Sequence, residues 1–256
     1  MNIILIGSGN VAHHIGQALA REHNITQVFS RSPANAQSLA HALNADAVSS
    51  MNEIKKDADL YLISVSDDAI RNIAAELPSV KGIVAHTSGT TTMDVLNRFE
   101  NYGVLYPFQT FSKERKIYFN NIPVLIEGSS SSVINNLKQT ANSISDNIFE
   151  IDSGQRAMLH LSAVFSSNFV NHFYAIAKDI LDKAGLPFEI LHPLIIETAS
   201  KATKIDPLTA QTGPAVRNDT EIINKHVEIL DNIPDRELRE LYLILSKRIL
   251  KMSQKK

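Results

Sequence analysis

The N-terminus constrains the fold most, because a short apolar run there leads directly into a glycine-rich turn. Residues 3–12 read Ile-Ile-Leu-Ile-Gly-Ser-Gly-Asn-Val-Ala, and a helix-compatible stretch covers about residues 10–22. A strand, a G-x-G-x-x-A turn and a helix in this order are typical of dinucleotide binding. Gly7 permits the sharp turn, and Gly9 lets the backbone approach a pyrophosphate, which the helix N-terminus then attracts. The residues predicted to bind the cofactor here are Gly7, Ser8, Gly9, Asn10 and Val11.

The rest of the first half alternates short apolar runs with helix-period segments, as a parallel sheet with crossover helices requires. We predict helices at about 10–22, 33–43, 67–76 and 92–99. The predicted strands lie near 2–6, 26–29, 59–64, 82–85, 103–106 and 122–126. The expected fold class is α/β, a Rossmann-type, mostly parallel sheet with helices on both faces.

After residue 152 the pattern changes to helices alone. The stretch 155–184 contains neither glycine nor proline, and at ~1.5 Å per residue it would form a helix roughly 45 Å long. Further helical patterns follow at about 187–204, 219–231 and 234–252. We predict a nucleotide-binding domain over 1–152 and an all-α helical-bundle domain over 153–256. Substrate is expected in the cleft between them.

The end of the second predicted strand indicates which dinucleotide is bound. NAD enzymes usually place a carboxylate there to hold the ribose 2′-hydroxyl, but this chain has Ser30-Arg31-Ser32. Two hydroxyls and a guanidinium suit a 2′-phosphate, so the sequence favours NADP over NAD. The alternative is a surface arginine in an ordinary strand–helix turn.

Composition excludes several other classes of protein. The chain has 256 residues, a net charge of −2 and no basic run except at residues 251–256, so we expect no nucleic-acid partner. It has no cysteine, which excludes disulfides, thiol catalysis and cysteine-ligated metal sites. We expect no metal, no membrane segment and no signal peptide, hence a cytoplasmic protein.

Polar side chains interrupt the apolar run of the long predicted helix. At 100° per residue His160 and Ser167 lie nearly in line, and Asn168 lies on the adjoining face. These three side chains are candidates to line a site beside the nicotinamide. The alternative is a polar seam that makes interhelical hydrogen bonds or belongs to a subunit interface.

Other candidate residues follow the ends of later strands, where a parallel sheet faces its cofactor. Ser64, Val65 and Ser66 follow one strand, and His86 and Ser88 follow the next. We predict that these five residues contact the cofactor or substrate. A capped loop that only holds its own backbone is the alternative for His86 and Ser88.

Arg217 follows the turn Thr-Gly-Pro at 212–214 and is a candidate clamp for a substrate anion. It could equally pair with Asp219 or Glu221, near which ordinary helix capping is expected. His226, on the next predicted helix, is more simply explained as a buried, hydrogen-bonded histidine.

Several segments together resemble a bacterial family of candidate NADP oxidoreductases, distantly similar to pyrroline-carboxylate reductase and the β-hydroxyacid dehydrogenases. The combination of H-T-S-G, P-F-Q-T-F and T-G-P-x-x-R-x-D in this order is more specific than the glycine motif. The segments that carry the resemblance are Gly7-Ser8-Gly9-Asn10-Val11-Ala12, His86-Thr87-Ser88-Gly89, 103–111, Ile126-Glu127-Gly128, 160–168 and 212–219. The resemblance implies a Rossmann domain, NADP as cofactor, a helical C-terminal domain and often a homodimer built on that domain.

The chain departs from this resemblance at the acid–base group. Many β-hydroxyacid dehydrogenases use a lysine on the long helix with an asparagine one turn later, whereas here His160 occupies that region, with Val164 four residues on and Asn168 eight on. A histidine can protonate a carbonyl oxygen as hydride arrives. His160 and Asn168 are therefore the candidate catalytic residues, and Ser167 and Arg217 the candidate substrate contacts.

Three hypotheses about function follow, all of which keep the nucleotide site. The leading one is an NADP(H)-dependent reductase or dehydrogenase for a small polar C=O or C=N substrate. The second is an NADP(H)-binding sensor or scaffold without turnover. The third is a nucleotide-sugar or other phosphate-ligand protein that reuses the glycine loop. For all three we expect a homodimer through the helical domain.

Overall fold

The computed structural model describes residues 1–254 and divides into two compact units, Met1–Val170 and the chain from Asn171 onward. The last strand of the sheet ends at Glu150, close to the predicted domain boundary at residue 152, whereas the first unit continues to Val170. Each unit is described separately below.

One eight-stranded sheet forms the centre of the first unit, in the order β3-β2-β1-β4-β5-β6-β7-β8. Strands β1 to β6 run parallel, β7 is antiparallel to β6, and β8 is parallel to β7. The strands are β1 Asn2–Ile6, β2 Asn24–Phe29, β3 Asp46–Val48, β4 Leu60–Ile63, β5 Ile83–His86, β6 Tyr102–Pro107, β7 Val124–Gly128 and β8 Ile148–Glu150. The predicted mostly parallel, Rossmann-type sheet is confirmed.

The two faces of the sheet are buried in two separate clusters. Alternate residues of β1 and β4 point to opposite faces, as a strand's period of two requires: Leu5 and Leu62 lie in one cluster, Ile6 and Ile63 in the other. The first cluster packs against helices α1 Asn10–Leu19, α2 Pro33–Leu43 and α4 Ser131–Asn142, and the second against α3 Asp67–Glu76. Burial on both faces explains why these strands are continuously apolar.

The long predicted helix is interrupted in the structure. Helix α5 covers Ser153–Ala163, a π-helical turn covers Val164–Asn168, and helix α6 covers Phe169–Lys183. Asp152 begins α5 with a capping box, in which its carboxylate accepts from Gln155 N and the Gln155 side chain accepts from Asp152 N. A π turn holds more residues than an α turn, so it changes which side chains share a face beyond Ala163.

The remaining helices of the second unit are α7 His192–Lys204, α8 Pro207–Ala210, α9 Thr220–Asp231 and α10 Arg236–Ser253. Asp206, Asp219 and Asp235 cap α8, α9 and α10 by accepting backbone N–H groups of the first turn. In the described part of this unit, Ala215 and Leu230 are the only buried hydrophobic residues. The helices are well formed locally but bury little apolar surface.

Four elements of the first unit differ from the sequence prediction. The expected helix at 92–99 is one 3-10 turn, Met93–Leu96, and α4 and the two three-residue strands β3 and β8 were not predicted. Helix α4 begins in a run of four serines, a poor helix-forming sequence; Ser130 nevertheless caps it by accepting from Val133 N. Strands of three residues are too short to show a period.

Candidate active site

The glycine-rich turn between β1 and α1 is shaped by close backbone packing. Gly7 has φ +128° and its N–H donates to Phe29 O at 2.8 Å. A Cβ at Gly7 would lie 2.0 Å from Ser64 O, so only glycine fits there. A Cβ at Gly9 would meet nothing within 4 Å, which leaves open space beside the N-terminus of α1. The turn can therefore accept a diphosphate against free backbone N–H groups.

The end of β2 presents the three residues predicted to select the cofactor. Ser30 is buried; its hydroxyl accepts from Ser8 Oγ at 2.9 Å and from Ser32 N at 3.3 Å. The hydrogen bond between Ser8 and Ser30 joins the glycine-rich turn to the end of β2. Arg31 is exposed at the cleft and forms no salt bridge within residues 1–254. Its guanidinium is thus available to an anion.

A histidine and a tyrosine meet beyond the ends of β5 and β6. Tyr106 Oη lies 3.2 Å from His160 Nδ1, within hydrogen-bonding distance. Burial, together with the carboxylate of Asp67, raises the pKa of Tyr106, so its phenol stays protonated at neutral pH. A protonated phenol can donate to a bare Nδ1 or accept from Nδ1–H, so the contact holds the His160 ring in place with either arrangement of protons. Gly89 makes room for both rings, because a Cβ there would lie 2.6 Å from His160 Nδ1.

These elements surround one cleft of about 630 Å³, a volume suited to a cofactor or small ligand. Residues of the first unit form it. Every residue predicted for cofactor binding except His86 lines the cleft, and so does His160. They are Gly7, Ser8, Gly9, Asn10, Val11, Ser30, Arg31, Ser32, Ser64, Val65, Ser66 and Ser88.

His86 lies behind the cleft rather than on its surface. It is fully buried, and its Nδ1 accepts from Ser88 N at 3.1 Å, while Nε2 has no hydrogen-bond partner in the described chain. Burial, with a smaller contribution from the charge of Arg156, lowers the pKa of His86 to about 4. The imidazole is therefore neutral at ordinary pH.

Three other predicted residues are not among those lining this cleft. Ser167 and Asn168 belong to the π turn, and Asn168 is exposed. The π turn breaks the α-helical spacing that predicted Ser167 in line with His160 and Asn168 on the adjoining face. Arg217 belongs to the second unit, where it is exposed on a groove that Val216 and Leu250 also line. Their roles remain predictions.

Sequence reasoning assigned no site role to Tyr106, Asp67, Arg156 or Glu127, although Tyr106 and Glu127 lie in segments that carry the family resemblance. Tyr106 and Asp67 both line the cleft, and Arg156 forms a buried ion pair with Glu127. The signal for Tyr106 was its place directly before Pro107, at the end of a predicted strand. A buried arginine gives no such signal, because its partners other than Ser153 lie 29 to 68 residues away in the sequence.

The parallel sheet, the glycine-rich turn and the cleft at the strand ends define a dinucleotide-binding protein of the Rossmann class. A family model described as "NADP oxidoreductase coenzyme F420-dependent" matches residues 2–88. A second model, described as "Domain of unknown function (DUF2520)", matches residues 122–249. No curated protein matches the sequence.

Solved structures agree with both matches. A protein from Bacteroides fragilis, described as a candidate NADP oxidoreductase, is 39% identical over 98% of both chains, with a TM-score of 0.89. A pyrroline-5-carboxylate reductase from Streptococcus pyogenes is 14% identical over 100% of this chain and 99% of its own, with a TM-score of 0.64. A reductive aminase from Aspergillus terreus, in complex with NADPH and ethyl-5-oxohexanoate, is 13% identical over 99% and 97%, with a TM-score of 0.77. The last two show similarity of fold.

The chain belongs to the DUF2520 family, and in this chain the match to the NADP oxidoreductase model precedes the match to the DUF2520 model. The predicted resemblance, the oxidoreductase class and NADP as its cofactor are confirmed for this family. Within residues 1–254 no helix combines the length and apolar character needed to cross a membrane.

Proposed function

We propose that the protein is an NADPH-dependent reductase for a small polar C=O or C=N compound, with His160 as the proton donor. The observation that carries the proposal is the Tyr106–His160 hydrogen bond of 3.2 Å in the same cleft as the glycine-rich turn. NADPH supplies a hydride when it is bound. The protein must then place the acceptor and deliver a proton to its oxygen or nitrogen, which His160 is suited to do.

The residues at the other end of the cleft fit NADP. Gly9 leaves space for a diphosphate, and Arg31 lines the cleft together with Ser30 and Ser32. A charge-assisted hydrogen bond is worth about 1.5–3 kcal/mol. We therefore expect Arg31 and the two serines to bind the 2′-phosphate, and Gly7 to Val11 to bind the diphosphate.

Tyr106 supports His160 in this reaction. In its protonated form His160 donates Nδ1–H to the phenol oxygen of Tyr106, which orients the ring, and Nε2 holds the proton to be transferred. Ser88 and Thr87, which also line the cleft, offer hydroxyl groups to the substrate. Arg31 and Asp67 are the charged side chains among the lining residues. With Arg31 bound to the cofactor, the cleft favours a neutral or cationic substrate over a carboxylate.

Cofactor binding is tested by calorimetric titration with NADPH, NADH and NADP⁺, since the chain has no tryptophan reporter. We expect NADPH to bind at least about tenfold more tightly than NADH, and Arg31→Ala to remove that difference without changing NADH affinity. Arg21→Ala, which removes a charge in the turn after α1 and outside this cleft, is the control. If none of the three nucleotides binds, the oxidoreductase proposal fails.

Catalysis is tested by following NADPH oxidation with a panel of ketones, imines and coenzyme F420, which the family description names. We expect turnover with at least one compound, and a loss of roughly 100-fold in His160→Ala with unchanged NADPH affinity. The matched control is His226→Ala, because His226 also bonds a tyrosine, Tyr242 Oη at 2.8 Å, in the second unit. Unchanged turnover in His160→Ala would exclude its role; tight binding without any turnover would favour a sensor or scaffold.

We further propose that the protein is a homodimer formed through its helical region. From Asn171 onward only Ala215 and Leu230 are buried hydrophobic residues in the described chain, whereas Leu194, Ile196 and Ile244 are more than 60% exposed. Exposed apolar surface on this scale marks an interaction site. Light scattering coupled to size-exclusion chromatography should give about twice the 28.3 kDa chain mass; a monomer would contradict the proposal.

A further inference from the structure

Arg156, in the first half of α5, is an arginine almost without exposed surface. It is 1% exposed, and all three of its side-chain nitrogens donate hydrogen bonds. Nε donates to Ser88 O at 3.1 Å, and one terminal nitrogen donates to Thr91 O at 2.6 Å and Ser153 Oγ at 3.1 Å. The other terminal nitrogen pairs with the carboxylate of Glu127. The guanidinium thus holds the backbone of the loop that follows β5.

Glu127 attaches the same network to the sheet. This residue of β7 accepts from Ser153 N at 3.0 Å and from Ser153 Oγ at 2.8 Å. The hydroxyl of Ser153 in turn accepts from Met93 N at 3.1 Å. Strand β7, the start of α5 and the loop at residues 88–93 are therefore joined by one hydrogen-bond network, centred on the buried guanidinium.

The residues held by this network adjoin the Tyr106–His160 pair. His160 follows Arg156 by four residues, so both lie on the same face of α5. Gly89 lies between the two loop residues whose carbonyls Arg156 holds. Its Cα is so close to the pair that a Cβ would approach His160 Nδ1 to 2.6 Å and Tyr106 Cζ to 3.0 Å. Small movements of this loop must therefore move or release His160.

A buried ion pair gives little net stability, because desolvation offsets most of the attraction. The planar guanidinium does, however, fix several acceptors in one geometry, which lysine cannot reproduce. Arg156 is not among the residues lining the cleft. Any effect it has on chemistry there must act through other residues.

We propose that Arg156 is a positioning residue, which fixes the loop of residues 88–91 against α5 so that the Tyr106–His160 hydrogen bond forms at the cleft. Its effect on turnover rests on the proposed function above, but its effect on His160 does not. The two can therefore fail separately.

The test uses full-length, cofactor-free protein labelled with ¹⁵N-histidine, in which the ring nitrogen shifts report the tautomer and hydrogen bonding of His160. The His160 signals are assigned by their loss in His160→Ala. Arg156→Lys keeps the charge and loses the planar fork. Gly89→Ala, whose added Cβ displaces His160 directly, gives the reference ¹⁵N shifts of a displaced His160 ring. Arg98→Lys is the matched control, because Arg98 also donates to a backbone carbonyl, Ala74 O at 2.9 Å, outside the cleft.

We expect the His160 signals of Arg156→Lys to shift from wild type toward those of Gly89→Ala, while those of Arg98→Lys stay at the wild-type position. Wild-type His160 signals in a folded Arg156→Lys variant would overturn the proposal. If Arg156→Lys does not fold, Glu127→Gln, which removes only the charge of the partner, is judged by the same criterion.

A kinetic measurement separates positioning from a general loss of folded protein. In the reduction assay we expect kcat per NADPH-binding site to fall about tenfold in Arg156→Lys, with unchanged NADPH affinity. A purely structural role would lower the number of binding sites and leave kcat per site unchanged, and that result would overturn the proposal. Absence of turnover in the wild type would count against the proposed function alone, since the ¹⁵N shifts need no substrate.

Discussion

The two units bury their apolar residues to very different extents. In the first, the central strands β1 and β4 are closed on both faces, and Leu5, Leu62, Ile6 and Ile63 have no exposed surface. In the second, three helices are capped by aspartates, yet only Ala215 and Leu230 are buried hydrophobics among the described residues. Regular secondary structure alone therefore does not show that a region is stable, since most helical stability in proteins comes from packing.

The difference in apolar burial indicates that the two units have separate roles. The first unit contains the whole described cleft and has a core of its own, so it can hold a cofactor in a fixed geometry. The second unit exposes apolar side chains that a partner would cover, which is the basis of the proposed homodimer. Stability should thus be intramolecular in the first unit and depend on association in the second.

The largest effect is expected from a cavity in the sheet. Leu62→Ala should lower the free energy of unfolding by about 2–5 kcal/mol, because the side chain is fully buried and its loss leaves a cavity. Urea denaturation followed by circular dichroism measures this at two protein concentrations. Leu62→Met, which conserves volume, is the control and should cost less than about 1.5 kcal/mol. A loss below about 1 kcal/mol in Leu62→Ala would contradict the closed core.

The second prediction uses the buried His86, whose pKa is lowered to about 4 from an ordinary 6.5 by burial. Between these two values the unfolded chain binds a proton that the folded chain does not, so stability falls as pH falls from about 6.5 to about 4. The full loss is up to about 3 kcal/mol and is absent above pH 6.5. It should be measured as the difference between wild type and His86→Asn in urea titrations across this range.

His13 and His23 also have lowered pKa values because of burial, and they contribute to the wild-type slope. The comparison with His86→Asn cancels their contribution. Parallel pH profiles for the two proteins would show that the folded and unfolded chains bind a proton at His86 equally, and thus that burial does not lower its pKa.

Prediction from the sequence was most accurate where a local backbone geometry can be adopted by one residue type alone. Gly7 and Gly9 could be assigned because their turn needs a positive φ and an open approach, and both are confirmed in that geometry. The continuous apolar strands of the sheet followed from burial on both faces. The cleft at the strand ends then followed from the topology of a parallel sheet.

Two parts of the site depend on contacts that a sequence does not show. The partners of Arg156 come from β7 and from the loop after β5, and nothing local indicates that a guanidinium lies buried among them. The π turn at Val164–Asn168 makes the 100° spacing that predicted the faces of Ser167 and Asn168 invalid. That spacing assumes a regular α-helix. Both features depend on tertiary packing.

The third prediction addresses the exposed apolar surface of the second unit. Leu194, on α7, is 62% exposed, so Leu194→Glu should cost a single chain little. It should weaken association at least about tenfold, or about 1.4 kcal/mol, if a second copy covers this surface. Light scattering over a dilution series measures the dissociation constant. The control is Glu197→Gln, a conservative change at an exposed position on the same helix. An unchanged dissociation constant would place the interface elsewhere.

The smallest effect is expected from the surface ion pairs of the second unit, which offer a different explanation of how its helices are held. Lys225 pairs with Glu221 at 2.6 Å across one turn of α9, with side chains 64% and 79% exposed. Such pairs contribute about 0.3–0.5 kcal/mol and are screened by salt. Glu221→Gln should therefore change the free energy of unfolding by no more than this in urea titrations. It should leave the dimer intact. A loss of several kcal/mol that disappears in high salt would contradict this. It would mean that ion pairs, rather than buried apolar surface, stabilise the helical region. The two units would then differ in the kind of interaction that stabilises them, and not only in how much apolar surface they bury.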